Sequence, residues 1–408
     1  MTRALVIASA LLLAGCSTNV WIDRAMVGAD HPRVDRGLRV GQRTIFAGDL
    51  HCHVLPPDSP RHVSRELPET LSLAKSEELD FVVLTPHVSP RFFADDEKRA
   101  RVLSTQHELK KRIARLQGPS PDLVVIPGFE YTDARWGHVG ASFADLEEVL
   151  ADFSSEEGRD RPERFFQRWV ARGGILTINH PVNRPLPEAP FSRLRADMSW
   201  RAFRGAAVPP EIAWITTHAH SIETFNTSVS HLRDQFLVGE EDRSLREAAH
   251  LTDREARAQK RRIAAVGGSD SHGEWLRATT FVLAKEKSRE AIREAIAGAR
   301  TCVRGPEACT LEVRTPGALA ARWMGVGDEV DPNGGAIEAR ATGGDVTFVL
   351  NGSVAARAGS GEIVTLRVPE GRCSVLRAIV GRSWSSGVYV GCNLASPSDL
   401  FEAGLGAD

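Results

Sequence analysis

The chain lacks most of the features that assign a function at a glance. Its 408 residues carry 51 Lys and Arg against 53 Asp and Glu, a formal net charge of −2, with arginine spread along the chain. No basic patch marks a nucleic-acid surface. After residue 20 no segment is long and apolar enough to span a membrane. There is no G-x-S-x-G elbow and no Cys-His pair in a triad context, so no protein nucleophile stands out. The six cysteines include no C-x-x-C pattern of the kind that holds a metal through thiolates. There is no internal repeat and no long low-complexity tract. What remains is an ordinary globular composition, 42% hydrophobic and 25% charged. The length suits two domains, or a large one and a small one.

The first sixteen residues depart from that composition. Arg3 gives a positive start, Ala4 to Leu13 form an apolar run, and Leu13-Ala14-Gly15-Cys16 closes it. The run fits a signal-peptide core and falls short of a membrane span. Small residues followed by cysteine resemble a bacterial lipobox, which implies cleavage before Cys16 and a diacylglycerol on its sulfur. Ser17 follows, so nothing resembles the aspartate that retains many lipoproteins at the inner membrane. The expectation is a lipid anchor at Cys16 on the periplasmic face of the cell envelope, at the outer membrane rather than the inner. Residues 17–42, with Pro32, Gly37, Gly41 and few apolar pairs, read as a tether. An oxidising compartment lets the remaining cysteines pair. Cys302 with Cys309 and Cys373 with Cys392 close short loops, leaving Cys52 free.

From residue 43 to about 305, short apolar runs alternate with charged segments of helical period. The runs are 43–48, 80–85, 123–128, 174–179, 222–226 and 263–268, with 138–143 a weaker one. Helices are expected over 64–78, 96–117, 162–172 and 242–260. Strands without polar alternation, separated by helices, predict a buried parallel sheet. Six or seven such units favour a closed β/α barrel over an open sheet. From 310 to 400 the texture changes to short alternating runs divided by Gly and Pro turns, which predicts a small antiparallel β-sandwich.

What the chain does have is a ligand-type residue at the end of nearly every barrel run. The first leads into Asp49-Leu50-His51-Cys52-His53, with Asp58 following. The second ends in Thr85-Pro86-His87. The third ends in Gly128-Phe129-Glu130, followed by Gly137-His138. The fourth leads into Asn179-His180-Pro181, and the fifth holds Glu223 and Asn226. The last opens into Gly268-Ser269-Asp270-Ser271-His272. In a β/α barrel these positions share the rim on which active sites are built. Six of the thirteen histidines are thus expected to converge with Asp58, Glu130 and Asp270. One H-x-H triplet alone would say little; its company gives it weight. Imidazole and carboxylate donors together suit Zn, Mn or Fe. With a bridging carboxylate they suit two or three divalent metals, which can hold a hydroxide between them and neutralise charge on a phosphoryl oxygen.

This combination resembles the polymerase and histidinol phosphatase (PHP) family over residues 46 to about 304. It looks closest to the stand-alone branch of small phosphoesterases and carbamate-ester hydrolases. The resemblance implies a distorted (β/α)7 barrel with up to three metals. It implies one metal on His51, His53, Glu130 and Asp270, and a second bridged by Glu130 and held by His138 and His180. A third would use Asp58, His87 and His272. Asp49, which precedes the triplet, is expected to orient ligands from behind. Glu130 and Asp270 are the expected catalytic carboxylates, Asp270 as the proton acceptor. The sequence departs from the family at the second strand, where T-D-H reads Thr85-Pro86-His87, so the third metal is expected to be weaker or absent. Glu223 and Asn226 match an E-x-x-N of this branch and are expected to orient ligands or touch substrate.

Arg135 and Arg184 flank ligand residues and are candidates to clamp an anionic group. Trp136 and Trp200 either wall the pocket or pack. A second H-x-H, His218-Ala219-His220, precedes its strand and reads as a loop or a satisfied pair. His31, His62, His107, His231 and His250 read as solvated. The expected function is lipid-anchored hydrolysis of a small-molecule phosphate ester, with no nucleic-acid partner. One alternative keeps the site and cleaves a carbamate or carboxylic ester. Another is a non-catalytic envelope binding or scaffold protein, which expects missing ligands where the core set is complete.

Overall fold

Strands whose neighbours cover both faces need no polar alternation, and the apolar runs behave accordingly. The computed structural model describes residues 18–117, 122–151, 153–317 and 322–395, apart from 28, 30, 33, 35 and 36. The apolar run 4–13 and Cys16 lie outside the described residues. The runs become β1 (Arg43–Cys52), β2 (Phe81–Leu84), β3 (Val124–Asp133), β4 (Gly137–Ser142), β5 (Ile175–Asn179), β6 (Ser221–Asn226) and β7 (Ala264–Gly268). Two further strands, β8 (Thr280–Ala284) and β9 (Thr301–Val303), complete the sheet. Strands β2 and β4 to β9 are buried along their whole length.

The sheet runs in the order β9-β8-β1-β2-β3-β4-β5-β6-β7. Pairs β1–β2, β2–β3, β5–β6 and β6–β7 are parallel. Strand β4 runs against both neighbours. The turn from Asp133 to Gly137 is too short for a parallel crossover, so the chain must fold back as a hairpin. Strands β8 and β9 are also antiparallel to their partners. The expected barrel is thus a strongly curled sheet. It curls so far that the ends of β7 and β1 meet, where Asp270 N–H donates to His51 O at 2.7 Å and His53 N–H to Ser271 O at 3.1 Å.

Helices flank the sheet: α1 (Thr18–Met26), α2 (Leu67–Ser76), α3 (Asp96–Gln117), α4 (Glu163–Ala171), α5 (Pro210–His218), α6 (Thr227–Asp234), α7 (Glu240–Gln259) and α8 (Arg289–Ala297). Helix α1 departs from the tether expected over 17–42. Ile22 and Met26 lie one turn apart on one face and are buried among Ala189, Phe191, Leu194, Leu232 and Trp275. Arg277 donates to the carbonyls of Met26, the last helical residue (3.1 Å), and of Ala29 just beyond it (2.7 Å).

The C-terminal region is a two-sheet sandwich. One sheet holds β10 (Glu312–Arg314), β11 (Ala336–Arg340) and β14 (Val364–Arg367), with Met324–Gly325 at its edge. The other is built on β12 (Val346–Leu350), β13 (Ser353–Ala358), β15 (Ser374–Val380), β16 (Ser383–Ser385) and β17 (Val388–Val390). Strand β16 pairs with β9, Cys302 opposite Ser385, so this sheet continues the curled one. Disulfides Cys302–Cys309 and Cys373–Cys392 are formed, and Cys52 is free and buried. Between the two regions Arg377 Nε meets Asp253 Oδ1 of α7 at 2.5 Å, both side chains buried, and a second Arg377 nitrogen donates to Ser385 O at 2.7 Å. Tyr389 Oη accepts from Ile263 N–H, next to β7, at 2.9 Å.

Removing one partner of a buried ion pair strands the other's charge. Arg377→Met is therefore expected to cost about 3–5 kcal/mol in urea unfolding, and Asp253→Asn with Arg377→Met to recover much of it. Equal losses in the single and double variants would show that the pair is not what joins the regions.

Candidate metal centre

Each strand delivers its side chain to the same rim. His51 and Cys52 end β1, and His53 follows at once. Glu130 lies on the half of β3 that runs past β2, and its N–H donates to Pro86 O at 2.9 Å. His138 opens β4, and because that strand is reversed its beginning lies beside the end of β5, opposite Asn179. His180 follows β5, and Asp270 and His272 follow β7. His180 (φ 30°) and Asp270 (φ 51°) have left-handed backbone. That conformation is costly for a residue with a Cβ and persists only when its surroundings enforce it.

Glu130 is the hub. Its Oε1 lies 3.1 Å from His51 Nε2, 3.2 Å from His138 Nδ1 and 3.6 Å from His180 Nε2. Asn179 donates to the same oxygen at 2.9 Å. Its Oε2 accepts from the Thr132 hydroxyl at 3.2 Å and lies 3.6 Å from His87 Nε2. Asp270 Oδ1 is 3.3 Å from His53 Nε2, 3.4 Å from His272 Nδ1 and 3.8 Å from His51 Nε2. Three sets of donor atoms lie close enough to share an ion: His51, His53 and Asp270; Glu130, His138 and His180; His53, His87 and His272. The His53 ring lies 4.0 Å from both His87 and His272, which are 5.2 Å from each other, so the three imidazoles form a compact triangle.

Eight of the nine expected ligands meet in this way. Asp58 stands behind them. Its Oδ2 faces His53 Nδ1 at 3.1 Å, and its Oδ1 faces His87 Nδ1 at 2.8 Å and accepts from His87 N–H at 2.9 Å. Both imidazoles thereby turn Nε2 inward, and His53 takes the place given to Asp58 in the third set. Asp49 orients backbone rather than imidazole. It accepts from Ser269 N–H (2.8 Å) and His51 N–H (3.1 Å), fastening the end of β1 to the loop after β7. Glu223 is the carboxylate that orients His51, facing its Nδ1 at 3.0 Å, and it accepts from His180 N–H at 2.6 Å. Asn226 caps α6 by accepting from Val229 N–H at 3.0 Å, which turns its amide nitrogen toward Glu223 (3.1 Å) and Asp270 (3.2 Å). Gly268 is glycine because a Cβ there would collide with the Glu223 carboxylate and His51 Cβ.

The arginines proposed from sequence lie elsewhere. Arg184 is exposed and pairs with Glu247. Arg135 is exposed on the β3–β4 turn, its guanidinium 4.6 Å over the ring of half-buried Trp136. Both follow ligand residues in sequence, yet the chain has already turned away from the rim. Trp200 is buried and donates to Thr216 Oγ1 at 2.8 Å, so it packs. His218 stacks on Trp214, and buried His220 accepts from Leu176 N–H at 3.3 Å. The arginine at the site is Arg193, on the short helix Ser192–Arg195, which donates to Asp270 Oδ2 at 2.6 Å. The Met198 carbonyl beside it holds His180 Nδ1 at 3.2 Å. Neither has a sequence signal, since the segment belongs to a long connection with no strand. Arg193, Ser192, Thr132, His138, His87 and His272 line an open cleft of about 760 Å³ above the cluster.

Electrostatics explain how so many charges stay buried. Burial alone would lower His51, but Glu223, Glu130 and Asp270 outweigh it and raise it well above the usual histidine range. Burial would raise Glu130 and Asp270. The His138 and His51 imidazoles hold Glu130 well below the carboxylate range, and Arg193 and His51 do the same for Asp270. Burial, together with His53 and Arg193, keeps His272 far below the ordinary value and therefore neutral. The protons of the imidazoles offset the carboxylates as cations would. His180 Nε2 is buried, 3.6 Å from Glu130 Oε1 and with no hydrogen-bond partner, which leaves it open to a metal.

No family model and no curated protein sequence matches the chain. Among solved structures it is similar to a two-domain protein containing a predicted PHP-like metal-dependent phosphoesterase from Bacteroides vulgatus. That match has 16% identity and a TM-score of 0.43, and covers 88% of this chain and 97% of the other. It is also similar to PsfC from Pseudomonas syringae, at 16% identity, TM-score 0.36 and coverage of 62% and 87%. A third is a lesion-specific endonuclease from Pyrococcus furiosus, at 15% identity, TM-score 0.35 and coverage of 62% and 56%. At these scores the side chains, not the neighbours, must carry the chemistry.

A ligand imidazole must be neutral, so a metal entering this cluster has to expel the proton that the carboxylates hold on His51. Titrating metal-free protein with Zn or Mn at neutral pH is expected to release at least about one proton per chain, and affinity to rise about tenfold per pH unit. An affinity independent of pH would contradict this. Gly268→Ala is expected to lower bound metal while leaving the sandwich folded, read by elemental analysis beside circular dichroism.

Proposed function

We propose that the chain is a PHP-type metal-dependent hydrolase of phosphate esters. The observation that carries the reading is the donor set: His51, His53, His87, His138, His180 and His272 gathered with Glu130 and Asp270, with His87, His138 and His272 lining one cleft. His51, His53 and Asp270 would hold one divalent ion, and Glu130, His138 and His180 another. His53, His87 and His272 offer a third position, reached despite Pro86. Zn, Mn or Fe in these places would supply Lewis acidity and a nucleophile from water at neutral pH.

The chain's own residues set what can bind. Arg193 places a guanidinium at the cluster on the cleft side, where a phosphoryl oxygen would arrive. This feature favours a phosphate ester over a carbamate or carboxylic ester. Asp270 turns Oδ2 to the Arg193 guanidinium and the Asn226 amide and Oδ1 to His53, which would fix it for its place beside the ion. Glu223, Asn226, Asp58 and Asp49 orient the inner groups. A lipid anchor at Cys16 and an envelope location belong to the same reading.

The test is turnover of a panel by metal-loaded protein. Phosphate monoesters and diesters, a short oligonucleotide and a phenyl carbamate would be compared. Hydrolysis of a phosphate ester that chelation abolishes and metal restores is expected. Arg193→Gln should lower kcat/KM for that ester about 100-fold with metal content retained. No turnover of any phosphate ester at full metal occupancy, or preference for the carbamate, would overturn the reading.

A further inference from the structure

The helix nearest the lipobox cysteine forms part of the cleft wall. Asn19 lines the cleft together with His62 and Arg193, and its Nδ2 donates to His62 O at 2.8 Å. It stands three residues after Cys16, a separation that extended chain spans in roughly 10 Å. Helix α1 is fixed at this place by buried Ile22 and Met26 and by Arg277 on the carbonyls of Met26 and Ala29. A diacylglycerol on Cys16 would therefore enter the membrane close to the cleft mouth.

The far end of the same helix meets an exposed apolar patch. Val27 is 82% exposed, and the loop between α6 and α7 presents Phe236, Leu237 and fully exposed Val238. These are four of the seven exposed large hydrophobics among the described residues. Val27 and Gln235 line one surface hollow. The Phe236 ring lies 6.5 Å from that of Phe191, and the Phe191 ring lies 5.4 Å from that of Trp21. Phe191 is itself buried and directly precedes Ser192 and Arg193, which line the cleft, so it packs the patch-bearing loop against the segment of the cleft wall. Exposed Arg24, 5.5 Å over Trp21, and exposed Arg61 at the cleft add positive charge beside it. Exposed aliphatic side chains flanked by an amphipathic tryptophan and arginines are the means by which proteins settle into a headgroup layer.

We propose that this face rests on the membrane to which Cys16 is anchored, and that the substrate is an amphiphilic phosphate ester drawn from that membrane. The proposal relies on the phosphoester reading for its chemistry and on Cys16 for its anchor. In the reaction the oxygen of water bonds to phosphorus, the ester P–O bond breaks, and the ester oxygen leaves carrying a proton from that water.

The full chain, reconstituted in vesicles of phosphatidylethanolamine and phosphatidylglycerol, supplies the test. Mass spectrometry of the membrane-extracted protein should show diacylglycerol on Cys16, and an unmodified cysteine would overturn the proposal. Val238→Cys and, as a control, Leu116→Cys would carry a polarity-sensitive fluorophore; Cys52 is buried and four other cysteines are paired. Leu116 is exposed near the end of α3, before β3 begins, on the rim opposite the cluster. Bromolipid quenching at 238 and none at 116 is expected; equal quenching would overturn the docking. Leu237→Glu with Val238→Glu should lower kcat/KM on a vesicle phospholipid about tenfold and leave a soluble diester within about twofold. A parallel fall on both substrates would overturn the membrane role. Turnover of the soluble diester with none of any vesicle phosphoester would overturn the substrate class. Quenching at 238 without any turnover would locate the failure in the phosphoester reading.

Discussion

Everything at the rim depends on removing charged groups from water without leaving any alone. Asp58, Glu130, Glu223 and Asp270 are each at most 6% exposed, and an isolated buried carboxylate is prohibitively costly. The structure meets the constraint by surrounding each one with imidazoles, amides or Arg193. That solution fits the curl that brings the ends of β1 and β7 together. His51 and Asp270 must approach each other, so the sheet curls until backbone atoms of His51 and Asp270 hydrogen-bond. Asp49 fastens the seam from behind. It is buried deeply enough that its carboxyl is pushed up to about 6.

The sandwich belongs to the same construction. Strand β9 lies between β8 and β16, so the curled sheet and the sandwich share strands rather than a linker. Arg377, Tyr389 and Ser386 reach α7, the residue before β7 and β7 itself. These are the elements that end in, or support, Asp270 and His272. The sandwich thus braces the elements that carry Asp270 and His272, two of the eight converging donors, and its β15 is buried because α7 covers its outer face.

The rim was legible in the sequence because its signal is local: an apolar run marks a strand, and the residue after it marks the rim. Glu130, His180 and Asp270 could be placed this way, and the hairpin strand with His138 was the weakest run because two glycines and a serine dilute its apolar residues. Roles that depend on direction were not legible. Asp58 and a true inner donor both set an oxygen near an imidazole, and only coordinates show which side it occupies. Arg193 reaches Asp270 across 77 residues from a connection with no periodicity, whereas Arg184, adjacent to a ligand in sequence, points to Glu247. Helix α1 was hidden because its few apolar residues are paired with another segment's, not with each other.

The central claim is that these side chains converge in order to hold metal. Elemental analysis of the full chain, purified without chelators, addresses it most directly. The account predicts about two to three Zn, Mn or Fe ions per chain. A folded protein with none, and none taken up on titration, would contradict it.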